Sequence, residues 1–251
     1  MDIDLSPYSL ILVNTSSGKD SLNIALETVA EARRQRVLHR VMAVHSETGA
    51  EWNCSLSVAQ NHCRCLGIPL KVVYPRHSIP DYLEARARFP SMKCRYCTAL
   101  KTSAIDKFIR QLFPARGNEA QVLSITGERA EESDRRAKLP VFEPHKTLTA
   151  GNRQVFHYRP IHDWKVGKVW DRIRNSGITP HPAYALGNER LSCALCVFAC
   201  DQDLWNGAAN RPDLAERYLE VERKTGFLFR HKQSLASILE KGAAKCQLQA
   251  S

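Results

Sequence analysis

The stretch LILVNTSSGKDSLNIAL, residues 10–26, decides the fold. Its apolar head is short and unbroken, as suits a strand buried on both faces. From Leu22 onward apolar residues return at helical spacing, at Leu22, Ala25, Leu26 and Val29. Between the two lies Ser16-Ser17-Gly18-Lys19-Asp20-Ser21. A loop of this composition between strand and helix is an anion site in physical terms. Gly18 lets the backbone turn tightly, hydroxyls and the N–H groups of the helix start donate to phosphate oxygens, and Lys19 adds a point charge. Asp20 either caps the turn or helps hold a Mg²⁺ that travels with phosphates. An ordinary N-capped helix gives the same letters, since Ser and Asp are favoured caps. The Walker loop, with its second glycine, is not matched.

The alternation continues outward. Strand-like runs at 41–45, 70–74 and 122–126 alternate with helix-like segments at 22–34, 52–66 and 99–112, which predicts an α/β fold with a parallel sheet covered by helices on both faces. Past residue 140 the pattern weakens into proline-rich and cysteine-containing loops, with helices expected near 165–175 and 214–224. The expected organisation is a nucleotide-binding domain over 1–150 and a cysteine-rich C-terminal elaboration over 151–251, packed on the first.

Across 251 residues, 36 Lys and Arg against 26 Asp and Glu give a net charge of +10, with 43% hydrophobic and 25% charged residues. That composition excludes disordered and fibrous classes and leaves room for a substantial core. The N-terminus has no basic leader region and no apolar run long enough to span a bilayer, so a cytoplasmic protein without membrane attachment is expected. A basic chain attracts polyanions; Arg33, Arg34, Arg36 and Arg40, or Arg86, Arg88, Lys93 and Arg95, would contact phosphates, although each run also reads as a solvated face.

Nine cysteines, an odd number, point to metal, catalytic or buried thiols rather than to a disulfide framework. Cys94/Cys97 and Cys193/Cys196 form two C-x-x-C pairs, with Cys200 following the second. Four thiolates brought to one centre would hold Zn²⁺ or an iron–sulfur cluster, and unligated thiols are the third reading.

The S-x-G-x-D-S loop after the first strand resembles the PP-loop of ATP pyrophosphatases. The blocks HSETGAEW (45–52), KCRYCTALK (93–101), TGERAEESDRR (126–136), RPIHDWKVGKVW (159–170) and GITPHPAYALGNERLSCALC (177–196) resemble, in order, the phosphoadenosine phosphosulfate (PAPS) reductase-like branch of that superfamily. The resemblance implies an adenine nucleotide α-hydrolase-like fold. It also implies ATP bound by Ser16, Ser17, Gly18, Lys19, Asp20, Ser21, Glu47, Thr126, Gly127 and Arg129. Lys19, Asp20 and Arg129 would be catalytic, with Mg²⁺ accompanying the phosphates and Arg129 neutralising the developing pyrophosphate charge. By charge alone, 128–138 also reads as a balanced solvated segment. Glu47 stands where the family often has Asp.

The same resemblance favours a [4Fe-4S] cluster on Cys94, Cys97, Cys193 and Cys196, with Zn²⁺ as the alternative and Lys93, Arg95 and Lys101 offsetting its charge. Cys94 departs from the adjacent cysteine pair of the iron–sulfur reductases. Those reductases attack their substrate with a C-terminal E-C-G-L-H cysteine; the chain here reads GAAKCQLQAS, so Cys246 lacks that setting. The overall pattern is more similar to the DNA phosphorothioation branch. That implies ATP-dependent activation of a DNA phosphate for sulfur insertion, with a cysteine desulfurase and other modification-system proteins as partners. Sulfonucleotide reduction, tRNA thiolation and ATP-regulated nucleic-acid binding without turnover are the alternatives.

Overall fold

The computed structural model describes residues 3–250, with side chains described to residue 242. The elements run β1 (Leu10–Thr15), α1 (Lys19–Arg34), β2 (Val41–Ser46), α2 (Ser55–Leu66), β3 (Leu70–Val73), α3 (Ile79–Arg86), α4 (Tyr96–Leu112), β4 (Ala120–Ile125), α5 (Asp134–Ala137), β5 (Phe142–Pro144), β6 (Arg153–Tyr158), α6 (Val166–Ser176), α7 (Asp201–Asn210), α8 (Pro212–Thr225) and α9 (Leu235–Ala250).

The six strands form one sheet in the order β3-β2-β1-β4-β6-β5. All neighbours are parallel except β5, which pairs antiparallel with β6 as an edge. Successive β1 residues Ile11 and Leu12 are both fully buried, so the sheet is covered on its two faces, as expected from an unbroken apolar run. The order reverses at β1, which pairs with β2 on one side and β4 on the other. In an open α/β sheet such a reversal opens a crevice beyond the carboxyl ends of the two central strands.

The chain divides into two compact units, each discontinuous in sequence. The first comprises residues up to 46, 56–73 and 105–181, and holds the whole sheet. Its core joins Ile11 and Val13 of β1 with Leu22, Ile24 and Val29 of α1, Leu123 and Ile125 of β4, and Val169 and Ile173 of α6. Asn23, buried in mid-helix, donates to the Val169 carbonyl at 3.1 Å and so ties α1 to α6.

The second unit comprises 47–55, 74–104 and the chain from 182 onward. Its core is aromatic and aliphatic, with Phe89 edge-on to Tyr218 at 5.8 Å and to Phe229 at 5.3 Å, and Leu204, Leu214, Leu235 and Ile238 beside them. Gly207 lies so close to the chain that an added Cβ would stand 1.8 Å from the Ala194 carbonyl oxygen. A single boundary at residue 150 therefore does not describe the chain. Strand β6 and helix α6 complete the sheet unit because Val155 pairs beside Val122 in the sheet, while 74–104 belongs with the later helices.

Candidate functional site

In the sheet unit the candidate site grows from the carboxyl end of β1. Ser17 adopts a left-handed backbone with φ of 60°, uncommon outside glycine, and is fully buried. Its amide donates to Thr15 Oγ1 at 3.2 Å and its hydroxyl to the Ser16 carbonyl, which holds the bend. Gly18 then caps α1 in extended conformation without a side-chain cap bond. The first-turn amides of any α-helix lack intrahelical acceptors and favour an anion. Ser21 Oγ donates back to the Gly18 carbonyl at 2.9 Å and fixes the turn.

Lys19 is 5% exposed, with Nζ 3.5 Å from Asp20. Asp20 also accepts from Arg129 Nε at 2.6 Å. Arg129 is 4% exposed and its Nη1 reaches Glu131 Oε2 at 2.6 Å and the Trp164 carbonyl at 3.2 Å. Burial works against the charge of Arg129, but the attraction of Asp20 and the bonds to Asp20 and Glu131 outweigh it and raise its pKa. The 128–138 stretch is thus not a freely solvated charge run at Arg129. Its acids organise the loop: Glu132 accepts from the Arg129 amide at 2.9 Å, and Glu128 from Arg159 Nε at 2.9 Å.

Gly127 explains how the β4 loop comes so near α1. A Cβ there would meet the Asp20 carbonyl carbon and oxygen at 3.0 Å, so only glycine allows this approach without a shift. Ser16, Ser17, Gly18, Lys19, Asp20 and Ser21 at the end of β1 and Thr126, Gly127 and Arg129 beyond β4 accordingly lie on two loops that meet at the strand-order reversal. Glu47 falls in the other unit and is partly exposed.

The second unit carries the cysteines. Among the described residues no group of three or more His, Cys, Asp or Glu side chains stands in a metal-holding arrangement. Cys94 is exposed with its Sγ 3.6 Å from Arg86 Nη2, and Cys193 is engaged by Lys101. Cys97, Cys193 and Cys196 nevertheless lie near enough to act on one another's ionisation. Burial pushes the Cys193 thiol up, against the pull of Lys101.

Sequence reading passed over Glu51. It is 6% exposed, accepts from the Thr48 amide at 2.9 Å and the Thr48 hydroxyl at 2.6 Å, and pairs with Lys101 Nζ at 3.0 Å. Burial would raise its pKa, but Lys101 and the Thr48 bonds outweigh this and hold it below the usual carboxylate range. The signal in the sequence was the T-x-x-E spacing of a capping box, here with no helix starting at Thr48. The side chain of Cys246 lies outside the described residues.

A family model, the phosphoadenosine phosphosulfate reductase domain, matches residues 10–199. The chain belongs to this family. A curated relative, an uncharacterized 37.8 kDa protein of Escherichia phage 186, is 35% identical over 140 residues, which are 55% of this chain and 40% of the relative. The chain thus spans less than half of that relative's length. PAPS reductase from Candida auris, solved with phosphate, superposes with a TM-score of 0.51 at 13% identity over 75% of this chain and 83% of that one. FMN adenylyltransferase from Candida glabrata, solved with FAD and inorganic pyrophosphate, superposes with a TM-score of 0.51 at 14% identity over 75% and 56%. At such identities the likeness establishes the fold, which this member of the PAPS reductase domain family shares with nucleotide-using enzymes.

Proposed function

We propose that the chain is an ATP pyrophosphatase that adenylates a phosphate oxygen so that sulfur can replace it, with DNA as the acceptor. The observation that carries this reading is the hydroxyl-and-lysine bend at the carboxyl end of β1, faced across the strand-order reversal by Gly127 and Arg129. Ser16, Ser17 and Ser21 together with the α1 amides would bind the phosphates, and Lys19 would meet their charge. Mg²⁺ arriving with the nucleotide supplies further neutralisation of the phosphate oxygens. Arg129, now held by Asp20 and Glu131, would turn toward the pyrophosphate as charge develops on it.

The acceptor oxygen attacks the α-phosphorus, the bond to the β-phosphate oxygen breaks, and pyrophosphate leaves. A persulfide sulfur then attacks the acceptor phosphorus, AMP departs with the original oxygen, and a second thiol of the donor frees the new P–S group by forming a disulfide with the carrier. A nonbridging phosphate oxygen is a poor leaving group until adenylation makes it part of AMP, which is the chemical reason for spending ATP. A cysteine desulfurase is the proposed sulfur source and the remaining modification proteins the proposed partners. Cys97, Cys193 and Cys196, with Cys94 turned away from Arg86, would hold a [4Fe-4S] cluster or Zn²⁺, the soft-donor set suiting either.

The test is product analysis with the holoprotein, its donor and DNA. AMP and pyrophosphate are expected, with Lys19→Ala lowering their formation by about 10²-fold or more. Unchanged turnover in that variant overturns the reading. Sulfonucleotide reduction is the second reading, favoured by the family's description and the Candida auris likeness. Sulfite release from PAPS, lost in Cys246→Ala, would establish it instead.

A further inference from the structure

From residue 85 to residue 105 the chain carries Arg86, Arg88, Lys93, Arg95 and Lys101 and not one Asp or Glu. Lys101 is paired with Glu51, but among the described residues no carboxylate pairs with the other four. Three of these four are instead laid against rings. The Arg86 guanidinium stands 5.7 Å from the Tyr96 centroid, Arg88 5.3 Å from Phe227, and Arg95 4.6 Å from Phe198. The backbone that presents them is fixed. Tyr96 Oη donates to the Arg88 carbonyl at 3.0 Å, and Ser91 and Cys94 exchange backbone bonds at 3.1 Å each. Arg88, Lys93 and Phe227 are exposed, Phe227 to 48%.

An unpaired cation run costs self-repulsion, and a solvated face would intersperse acids, as α8 does with Glu220, Arg223 and Lys224. Guanidinium planes held over aromatic rings offer a further property. They are flat, weakly hydrated platforms on which a nucleobase stacks while the N–H fork reaches a phosphate. Bases in a duplex already have their faces occupied, whereas an unpaired strand leaves them open.

We propose that the turn between α3 and α4, with Arg86, Arg88, Lys93 and Arg95 backed by Phe198 and Phe227, is a docking surface for a single-stranded polynucleotide. Its charge complements the phosphodiester chain and its ring-backed arginines take the bases. As the acceptor-holding surface of the enzyme it rests on the adenylating function proposed above, but binding itself is read without ATP, so the two fail separately.

The experiment is fluorescence anisotropy of the holoprotein, without nucleotide, against labelled single-stranded DNA and RNA of about 15 nucleotides, the matching duplex, and anionic phospholipid vesicles. Single strands are expected to bind at least about tenfold more tightly than duplex or vesicles, with DNA and RNA compared directly to fix the sugar. The triple variant Arg88→Ala, Lys93→Ala, Arg95→Ala should lower the salt slope by about 2 and weaken binding tenfold or more. A second variant, Arg88→Lys with Arg95→Lys, keeps the charge and the fold but removes the platforms; it should retain the salt slope and still lose affinity for single strands several-fold. Wild-type binding by the triple variant, equal binding by the lysine variant, or preference for duplex or vesicles overturns the proposal.

Discussion

Arg129 donates to the Asp20 carboxylate at 2.6 Å across 109 residues of sequence, and that bond joins the loop after β4 to the first turn of α1. The arginine is nearly buried while Asp20 is 21% exposed in its side chain. Removing Asp20 takes one carboxylate from a nearly buried arginine and leaves Glu131 to hold its charge, whereas removing Arg129 leaves a carboxylate that is partly exposed and still beside Lys19. Asp20→Ala should therefore cost about 2 kcal/mol in urea unfolding, below the value for a fully buried pair, and Arg129→Met only about 1 kcal/mol. Both should lose ATP turnover. A greater loss of stability in Arg129→Met than in Asp20→Ala would contradict this picture.

Gly127→Ala tests the close approach at the same place. The new methyl meets backbone atoms of Asp20 at 3.0 Å, which cannot swing aside as a side-chain tip would. Destabilisation of about 1–3 kcal/mol is expected, together with weaker ATP binding by calorimetry. The same substitution at Gly167, where nothing lies within 4 Å, serves as the control.

The sheet was legible where apolar runs were unbroken. Strands β1, β2, β3 and β4 lie within a residue or two of the predicted bounds; β1, β2 and β4 are largely buried on both faces, and the edge strand β3, with Lys71 exposed, still has three apolar residues in four. Strand β6, RQVFHY, escaped notice since Arg153 and His157 interrupt the run; Arg153 is buried only because the Leu148 and Phe113 carbonyls accept from it. Helix α3 was hidden by Pro80, a breaker in mid-helix that is tolerated in this first turn. The phosphate-loop residues could be named from the strand–loop–helix pattern. The Asp20–Arg129 and Glu51–Lys101 pairs could not, since no local rule relates residues so far apart.

Acid should weaken the sheet unit before its paired carboxylates protonate. Burial, with His145 and Arg159 nearby, depresses His157 from 6.5 to about 4, and Glu143 and Glu128 only partly oppose this. His157 stacks on His145 with centroids 4.3 Å apart, and its Nδ1 is buried without a partner. A base with a lowered folded pKa is protonated first in the unfolded chain, so stability is full above pH 6.5 and falls as pH drops toward 4. One such group contributes a slope of about 1.4 kcal/mol per pH unit inside that window. Urea unfolding across the window should show a shallower slope in His157→Gln; an identical slope would refute the assignment. Burial lowers His181 to about 4 as well, with His62 adding to it, so part of the slope remains in that variant.

Metal content tests the cysteine unit. Anaerobically purified protein should contain iron and sulfide, or zinc, and Cys193→Ser should lose it, whereas Cys65→Ser, an exposed cysteine outside the two pairs, should not. Wild-type protein free of all three, or metal retained in Cys193→Ser, would remove the proposed ligand set.

The most direct measurement of the central claim is a crystal structure with an ATP analogue whose α,β-bridge cannot be cleaved. The expected result places the triphosphate on residues 16–21 at the end of β1, with Lys19 and Arg129 turned to it, and no such density in Lys19→Ala. A triphosphate bound elsewhere, with the bend between β1 and α1 empty, would contradict the proposed function.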